Sequence, residues 1–350
     1  MPTTYDRRFL LQAGTALALT TAMPRHLFGA HIPFDDIPRS EYGFATTCDE
    51  VAAGYDLEGL TVFITGCNSG LGYESMRTLV ARGAHVIGTA RTLEKAEEAC
   101  ATANARGFGK ATPLVCELTD MNSVVAATEA VEQLDIPVDV LICNAGIMAL
   151  PKLEQVDVNG VTLEKQFVVN HLGHYLLTRR MMPQIEAAKA PRIVMLSSIA
   201  YTMGPKSGIQ FDNLSGDAGY SPFKAYGQSK LANLLTSNEL SRRYADSPVT
   251  SNAVHPGMVA TNLGRYISGK PQSDAEKAGE ADKPLRKGFK YPDQGAATQV
   301  YCAIDRRLKG VSGYYFEDCN PVHPKGPHAG DAELTAKLWE VSEQLVSVYM

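Results

Sequence analysis

From Leu57 onward, short apolar runs rich in β-branched residues alternate with longer stretches of helical period. That alternation is the pattern of a parallel sheet whose strands are joined by crossover helices. The apolar runs predict strands over residues 60–65, 85–90, 113–116, 138–143, 192–197 and 249–254, with a last short one around 313–316. Helical period begins near Gly70, Leu93, Met121, Thr162, Ala225 and Asp293, and each segment is long enough to cross back over a sheet. The expected architecture is therefore α/β: a single doubly wound domain over 57–350, with a seven-stranded, mostly parallel sheet and helices on both faces. A final amphipathic stretch, 332–348, predicts one more helix packed on the domain.

Two stretches break this rhythm. Residues 200–224 and 257–291 are long, rich in Gly, Ser, Pro and charge, and directly follow strands. Ligands of open α/β sheets bind beyond the carboxyl ends of the strands, so loops of this kind are candidate substrate walls. Met203, Phe211, Tyr220, Phe223, Met258 and Tyr266 are their available apolar linings.

Composition changes this picture little. Of 350 residues, 45% are hydrophobic and 20% charged, which suits a folded globular chain. The 33 basic and 38 acidic side chains leave a net charge of −5 and no basic patch, so nucleic acid is not an expected partner. The seven cysteines are odd in number, widely spaced and free of any C-x-x-C pair, which indicates neither a metal site nor a disulfide framework. Cys67, Cys116 and Cys143 lie in or beside strand runs, where cysteine behaves as a small core hydrophobe.

The N-terminus differs in kind. Arg7-Arg8-Phe9-Leu10-Leu11 and the weakly apolar stretch to Met23 resemble a twin-arginine export signal, and the stretch is too short to span a membrane. Residues 1–30 are read as that signal and 31–56 as a linker or N-terminal arm. Export implies a periplasmic location; a plain basic arm implies a cytoplasmic one.

The first strand runs into Thr65-Gly66-Cys67-Asn68-Ser69-Gly70-Leu71-Gly72 and then a helix. Glycines let backbone approach a pyrophosphate and let helix sit close on strand, while the helix N-terminus supplies amide donors. The T-G-x-x-x-G-x-G spacing differs from G-x-G-x-x-G. After the second strand stands Arg91, with no acidic residue to accept from a ribose 2′-hydroxyl; an arginine there pairs with a 2′-phosphate, so the expected cofactor is NADP(H). Tyr226 and Lys230, four apart on a helix, share one face. An ammonium beside a phenol favours phenolate, which would fit Tyr226 for proton transfer near neutrality. Ser198 ends the fifth strand and can donate to a substrate oxygen. Asn170 lies inside a helix, where asparagine is intrinsically poor, which suggests a task such as holding a water that relays protons to Lys230.

The runs TGCNSGLG, CNAG, NHLGH, SS, YGQSK and HPG, in this order, resemble the short-chain dehydrogenase/reductase family over about 57–350. NHLGHYLLT, YGQSKLANLL, SNAVHPG, QGAATQVYCA and GYYFEDC are similar to its retinol dehydrogenase and WW-domain oxidoreductase branch. The resemblance implies a catalytic tetrad of Asn170, Ser198, Tyr226 and Lys230. It implies cofactor contacts from Gly66, Asn68, Ser69, Gly70, Leu71, Gly72, Arg91, Asn144, Ala145, Gly146, Pro256, Gly257 and Thr261, besides Tyr226 and Lys230. Glu117-Leu118 stand where the family usually has an aspartate that meets the adenine and are the expected cofactor contacts there, and Cys143 replaces the first residue of N-N-A-G. Ser198 is preferred to Ser197 by analogy. The implied activity is reduction of an apolar aldehyde or ketone by the pro-S hydride of NADPH, or the reverse, in a chain that forms dimers or tetramers. A protochlorophyllide reductase-like enzyme shares N-H-L-G-H and Y-x-x-x-K, but 200–224 contains no cysteine. A silent NADP(H)-binding scaffold would have lost Tyr226 or Lys230.

The export reading has a direct test. Replacing Arg7→Lys and Arg8→Lys together is expected to move the protein from periplasm to cytoplasm in fractionated cells, and an unchanged distribution would exclude it.

Overall fold

A computed structural model describes residues 32–264 and 285–350. The arginine pair Arg7-Arg8, the rest of the signal-like segment and Tyr266 lie outside the described residues. Among those described, the central sheet has eight strands: β1 Thr61–Ile64, β2 His85–Ala90, β3 Lys110–Val115, β4 Val140–Cys143, β7 Arg192–Leu196, β8 Thr250–His255, β11 Tyr315–Glu317 and β12 Asn320–Val322. Their spatial order is β12-β11-β8-β7-β4-β1-β2-β3, all neighbours parallel except β11 and β12, and β9 Met258–Val259 and β10 Phe289–Lys290 form a separate parallel pair. The chain winds outward from β1 to β3, returns to β4 and winds the other way. The direction reverses between β1 and β4, and there the splayed connections leave a crevice at the carboxyl ends of the strands.

Helices cover both faces: α1 Cys48–Val51, α2 Gly70–Ala81, α3 Leu93–Asn104, α4 Met121–Glu132, α5 Lys165–Phe167, α6 Gly173–Glu186, α7 Pro222–Arg243, α8 Pro292–Ile304 and α9 Ala332–Val346. Two apolar clusters follow from the alternation of side chains along each strand. Phe63, Leu141 and Cys143 enter the cluster under α4, α6, α7 and α9, whereas Val62, Ile64, Val140 and Ile142 enter the one under α2, α3 and α8. The central strands β1 and β4 are buried along their whole length, which is why they read as unbroken apolar runs. All seven cysteines are buried and unpaired.

Residues 32–56 pack against the second cluster through Ile37, Cys48, Val51 and Ala52. Thr47 and Glu50 form a reciprocal capping box on α1. The Asp49 carboxylate accepts from Arg77 Nη2 at 2.6 Å and from the Thr78 hydroxyl at 2.8 Å, both on α2. The arm thereby braces the helix that follows the glycine-rich turn.

Two elements differ from the sequence reading. Helical period was expected from Thr162, but Gln155–Val158 (β5) and Val161–Glu164 (β6) form an antiparallel hairpin, and the helix begins at Lys165. Its turn is Asn159-Gly160 with φ of 52° and 78°, the left-handed pair that a two-residue hairpin requires. The eighth strand, β12, returns through Asp318 and Cys319, whose φ values are 50° and 58°. No glycine marks that turn, so the single terminal strand of the sequence reading is in fact a hairpin. Among the described residues no helix is long and apolar enough to cross a membrane.

Candidate active site

The glycine turn owes its shape to crowding. Gly66 and Gly70 adopt φ of 74° and 58°, in the left-handed region where a side chain is strained. A Cβ on Gly66 would sit 2.9 Å from Ala145 Cβ, and one on Gly72 would overlap the Gly66 carbonyl and the Asn144 amide. The turn is thus pressed against Asn144-Ala145 at the end of β4. The Thr65 hydroxyl accepts from the backbone amides of Asn144 at 2.9 Å and Ala145 at 3.0 Å, and Asn144 Nδ2 donates to Thr65 O at 2.8 Å.

Helix α2 begins at Gly70, and Ser69 at its N-cap makes no side-chain bond to it. Its first amides are therefore not capped by that residue and face the turn, which is how a helix N-terminus receives a phosphate. Leu71 is half-buried and Asn68 exposed on this turn. Thr261, after β8, lies over it, since a Cβ on Gly70 would be 3.4 Å from Thr261 Cγ2. Pro256 is half-buried, and Gly257 takes φ of 88° against the Lys290 side chain. Together these residues make a cradle that fits the pyrophosphate of a dinucleotide.

Farther out, Arg91 is exposed at the end of β2 and has no ion pair among the described residues. Its guanidinium is free to meet a phosphate. The Glu117 carboxylate is engaged locally, accepting from the amide and hydroxyl of Thr119 at 3.0 and 2.9 Å. Leu118 is buried beneath Gly173. Both of the Thr119 bonds fall on Oε1, which leaves Glu117 Oε2 as the polar atom at this strand end.

Helices α5 and α6 are joined by a π turn, Val168–Leu172, in which the Gly173 amide bonds back to Val168 O. Such turns slip the hydrogen-bond ladder by one residue and often mark functional sites. Asn170 sits within it, fully buried. Its Oδ1 accepts from Ile147 N at 2.8 Å, and its Nδ2 donates to Ile147 O and to Ser229 Oγ, both at 2.9 Å. Its side chain is thus committed to protein partners. A Cβ on Gly146 would lie 3.2 Å from Asn170 Oδ1 and 3.6 Å from Lys230 Nζ, so this glycine leaves room where the two converge.

Tyr226 and Lys230 lie on one face of α7, with Lys230 Nζ 5.8 Å from the phenol ring centroid. Lys230 Nζ donates to Leu196 O at 2.9 Å. Ser197 and Ser198 divide their tasks: the Ser197 hydroxyl is buried and donates to Lys230 O at 2.7 Å, while the half-buried Ser198 hydroxyl accepts from Ala200 N at 3.2 Å and lies beside the Tyr226 phenol, where it favours the phenolate. Their surroundings thus select Ser198 independently of any analogy.

The electrostatics correct one expectation. Burial pushes the Tyr226 phenol up to about 12, only partly offset by Ser198, and lowers Lys230 to about 8. Within the protein alone, desolvation outweighs the attraction expected between ammonium and phenolate.

Of the apolar loop residues, Phe211 carries Lys337 over its ring at 4.5 Å, and the Tyr220 hydroxyl donates to Leu150 O at 2.7 Å. Both hold loop to core. Met203, Phe223 and Met258 remain 49%, 38% and 53% exposed, beside Ser198, Tyr226 and Gly257 in the chain, and Ile199 joins them at 36%. Sequence reading passed over His174, which touches both Thr65 and Asn170, and Gln299, whose Nε2 donates to Ser75 Oγ at 2.6 Å and to Asn144 Oδ1 at 3.3 Å. The repeated histidine of NHLGH, four residues after Asn170, was the available signal for the first.

Lys230 provides a test of these energetics. Its folded value lies below the ordinary 10.5, so the native state resists the proton that the unfolded chain accepts. Lys230→Met removes that penalty, and Leu196 O keeps its bond from Asn233 Nδ2. At pH 7 the variant is expected to be more stable by on the order of 2 kcal/mol in denaturant titrations. The gain is full below about pH 8 and should vanish as pH rises to 10.5, where the unfolded lysine also loses its proton.

Comparison with known proteins places this geometry. The family model for short chain dehydrogenase matches residues 60–272. The chain is 40% identical over 325 residues to the chloroplastic short-chain dehydrogenase TIC 32 B of Brassica napus, covering 88% of this chain and 95% of that one. It is 37% identical over 311 residues to human retinol dehydrogenase 14, covering 83% and 88%. A solved structure of an uncharacterized protein from Mycobacterium paratuberculosis superposes with a TM-score of 0.64 at 32% identity, over 85% of this chain and 97% of that one. The chain belongs to the short-chain dehydrogenase/reductase family of NAD(P)-binding oxidoreductases, in its retinol dehydrogenase-like branch.

Proposed function

We propose that this protein is an NADP(H)-dependent oxidoreductase that interconverts an apolar aldehyde or ketone and its alcohol. The observation that carries the reading is the buried Lys230 ammonium 5.8 Å from the Tyr226 ring, one helical turn away, with the Ser198 hydroxyl beside the phenol. Gly66, Ser69, Gly70, Leu71 and Gly72 would hold the pyrophosphate, and Asn144, Ala145, Gly146, Pro256, Gly257 and Thr261 the far side of the nucleotide. When bound, the nicotinamide supplies or accepts the hydride.

The remaining steps belong to the protein. Ser198 and Tyr226 donate to a carbonyl oxygen and hold it in place. A phenol that burial keeps protonated is ready to act as the acid in reduction, transferring its proton to the forming alkoxide. Lys230, with its value near 8, exchanges a proton close to neutrality and can recharge the phenol. In alcohol oxidation the same pair runs in reverse, with the ammonium stabilising phenolate. Asn170 acts by fixing the backbone around this lysine, since its side chain is bonded to Ile147 and Ser229.

Apolar substrate preference is supported by the exposed Ile199, Met203, Phe223 and Met258, each adjoining a site segment. Their chemistry favours a long or bulky hydrocarbon over a sugar. NADP(H) over NAD(H) rests on the free guanidinium of Arg91 and the lack of an acidic side chain at that strand end. Export of the folded chain with its nucleotide already bound belongs to the same proposal, and rests on Arg7 and Arg8.

Incubation with retinoid, steroid and aliphatic carbonyls should consume NADPH for at least one class, followed by absorbance. Tyr226→Phe is expected to lower that turnover by about 10²–10⁴-fold while binding nucleotide as the parent does. A folded Tyr226→Phe protein with parental turnover would exclude the mechanism. Arg91→Ala should weaken NADPH by about 10- to 100-fold and leave NADH unchanged, measured by fluorescence titration. Equal loss for both nucleotides would remove the basis for NADP(H) selection.

A further inference from the structure

His174 is fully buried, and both of its ring nitrogens are bonded. Nε2 lies 2.8 Å from Thr65 Oγ1, and Nδ1 lies 2.9 Å from Asn170 O. The direction of each bond is determined by its partner. A hydroxyl has two lone pairs and one proton. The Thr65 lone pairs already receive the amides of Asn144 and Ala145, so its proton must point to Nε2. A carbonyl only accepts, so Nδ1 must carry hydrogen. Both ends demand the same neutral tautomer. Burial agrees, holding the imidazole down at about 4 and therefore uncharged.

We propose that His174 is a positioning residue with two separate anchors: its Nε2 holds the Thr65 hydroxyl beneath the nucleotide turn, and its Nδ1 holds the Asn170 carbonyl of the π turn beside the proton-transfer groups. The inference rests on the proposed roles of Tyr226, Lys230 and Asn170. Its geometric part does not. Without the imidazole, the buried Thr65 hydroxyl proton and the Asn170 carbonyl each lose a partner inside a region that Gly66 and Gly146 have made too tight for adjustment. The slipped backbone of the π turn makes the second bond matter, because a register change there moves Asn170, and through Ser229 the Tyr226 backbone.

The two anchors can be separated by substitution. His174→Asn places a donor near Nδ1 and nothing near Nε2; His174→Gln places an acceptor near Nε2 and nothing near Nδ1. Nucleotide dissociation constants, for NADPH and NADH separately, should rise about fivefold or more in His174→Asn, with kcat on the best carbonyl of the panel within threefold of the parent. His174→Gln should show the converse, kcat falling about tenfold with nucleotide affinity within threefold. Both variants losing both properties in proportion to their drop in Tm would mean that His174 is only structural, and would overturn the proposal. So would a folded His174→Phe protein with both quantities within twofold of the parent.

A second measurement needs neither a variant nor a substrate. In the parent labelled with 15N-histidine, NMR at pH 7 should show His174 with Nδ1 protonated and Nε2 bare, and its ring signals should shift when NADPH or NADH is added. The other tautomer, an imidazolium, or signals indifferent to both nucleotides would overturn the proposal. Since binding and NMR require no turnover, a carbonyl panel without a substrate would defeat the functional reading and leave this test intact.

Discussion

Everything at the site depends on how closely β1 and β4 approach at the point where the sheet reverses direction. The Thr65 hydroxyl takes both amides that open the β4 loop, and Asn144 returns a bond to the Thr65 carbonyl. Gly66 and Gly72 are the residues that make this approach sterically possible, because a methyl group on either would strike the opposing segment. A phosphate cradle and a nicotinamide pocket become two ends of one crevice through that closure. Looser packing would leave a helix N-terminus on one side and a tyrosine on the other, with no common register.

The second constraint is the burial of ionisable groups that a stable core would omit. Lys230 is 3% exposed and Tyr226 4%, and both shift toward their uncharged forms. The fold accommodates them with Leu196 O as acceptor for Lys230 Nζ and Ser198 beside the phenol. Here stability and chemistry are opposed, as is common where a site needs a proton donor near neutrality. The arm of residues 32–56 acts on the stabilising side, pinning α2 through Asp49, Arg77 and Thr78 without touching the tetrad.

How much was legible in advance varies by element. Strands buried on both faces produce continuous apolar runs, and β2 was located to the residue. The hairpin at residues 155–164 was missed although Asn159-Gly160 between alternating Val156, Val158, Val161 and Leu163 is a strong local signal; the helical period after it drew the boundary too early. The β11–β12 turn gave no warning, since Asp318 and Cys319 are held left-handed by pairing across the sheet rather than by glycine. Phe211 and Tyr220 read in the sequence only as apolar residues of a long loop, and their contacts to Lys337 and Leu150 O emerge from the tertiary structure.

By itself the sequence determined the fold class, the glycine turn and the four-residue spacing of Tyr226 and Lys230, because each is a local pattern of chain geometry. Tertiary structure alone decided which serine faces the phenol, that burial drives the tyrosine and lysine values apart from their ordinary ones, and that His174 bridges Thr65 and Asn170. Those are properties of groups far apart in the chain, or only four apart but on a helix whose ladder slips, and no local periodicity encodes which of them will share a buried proton.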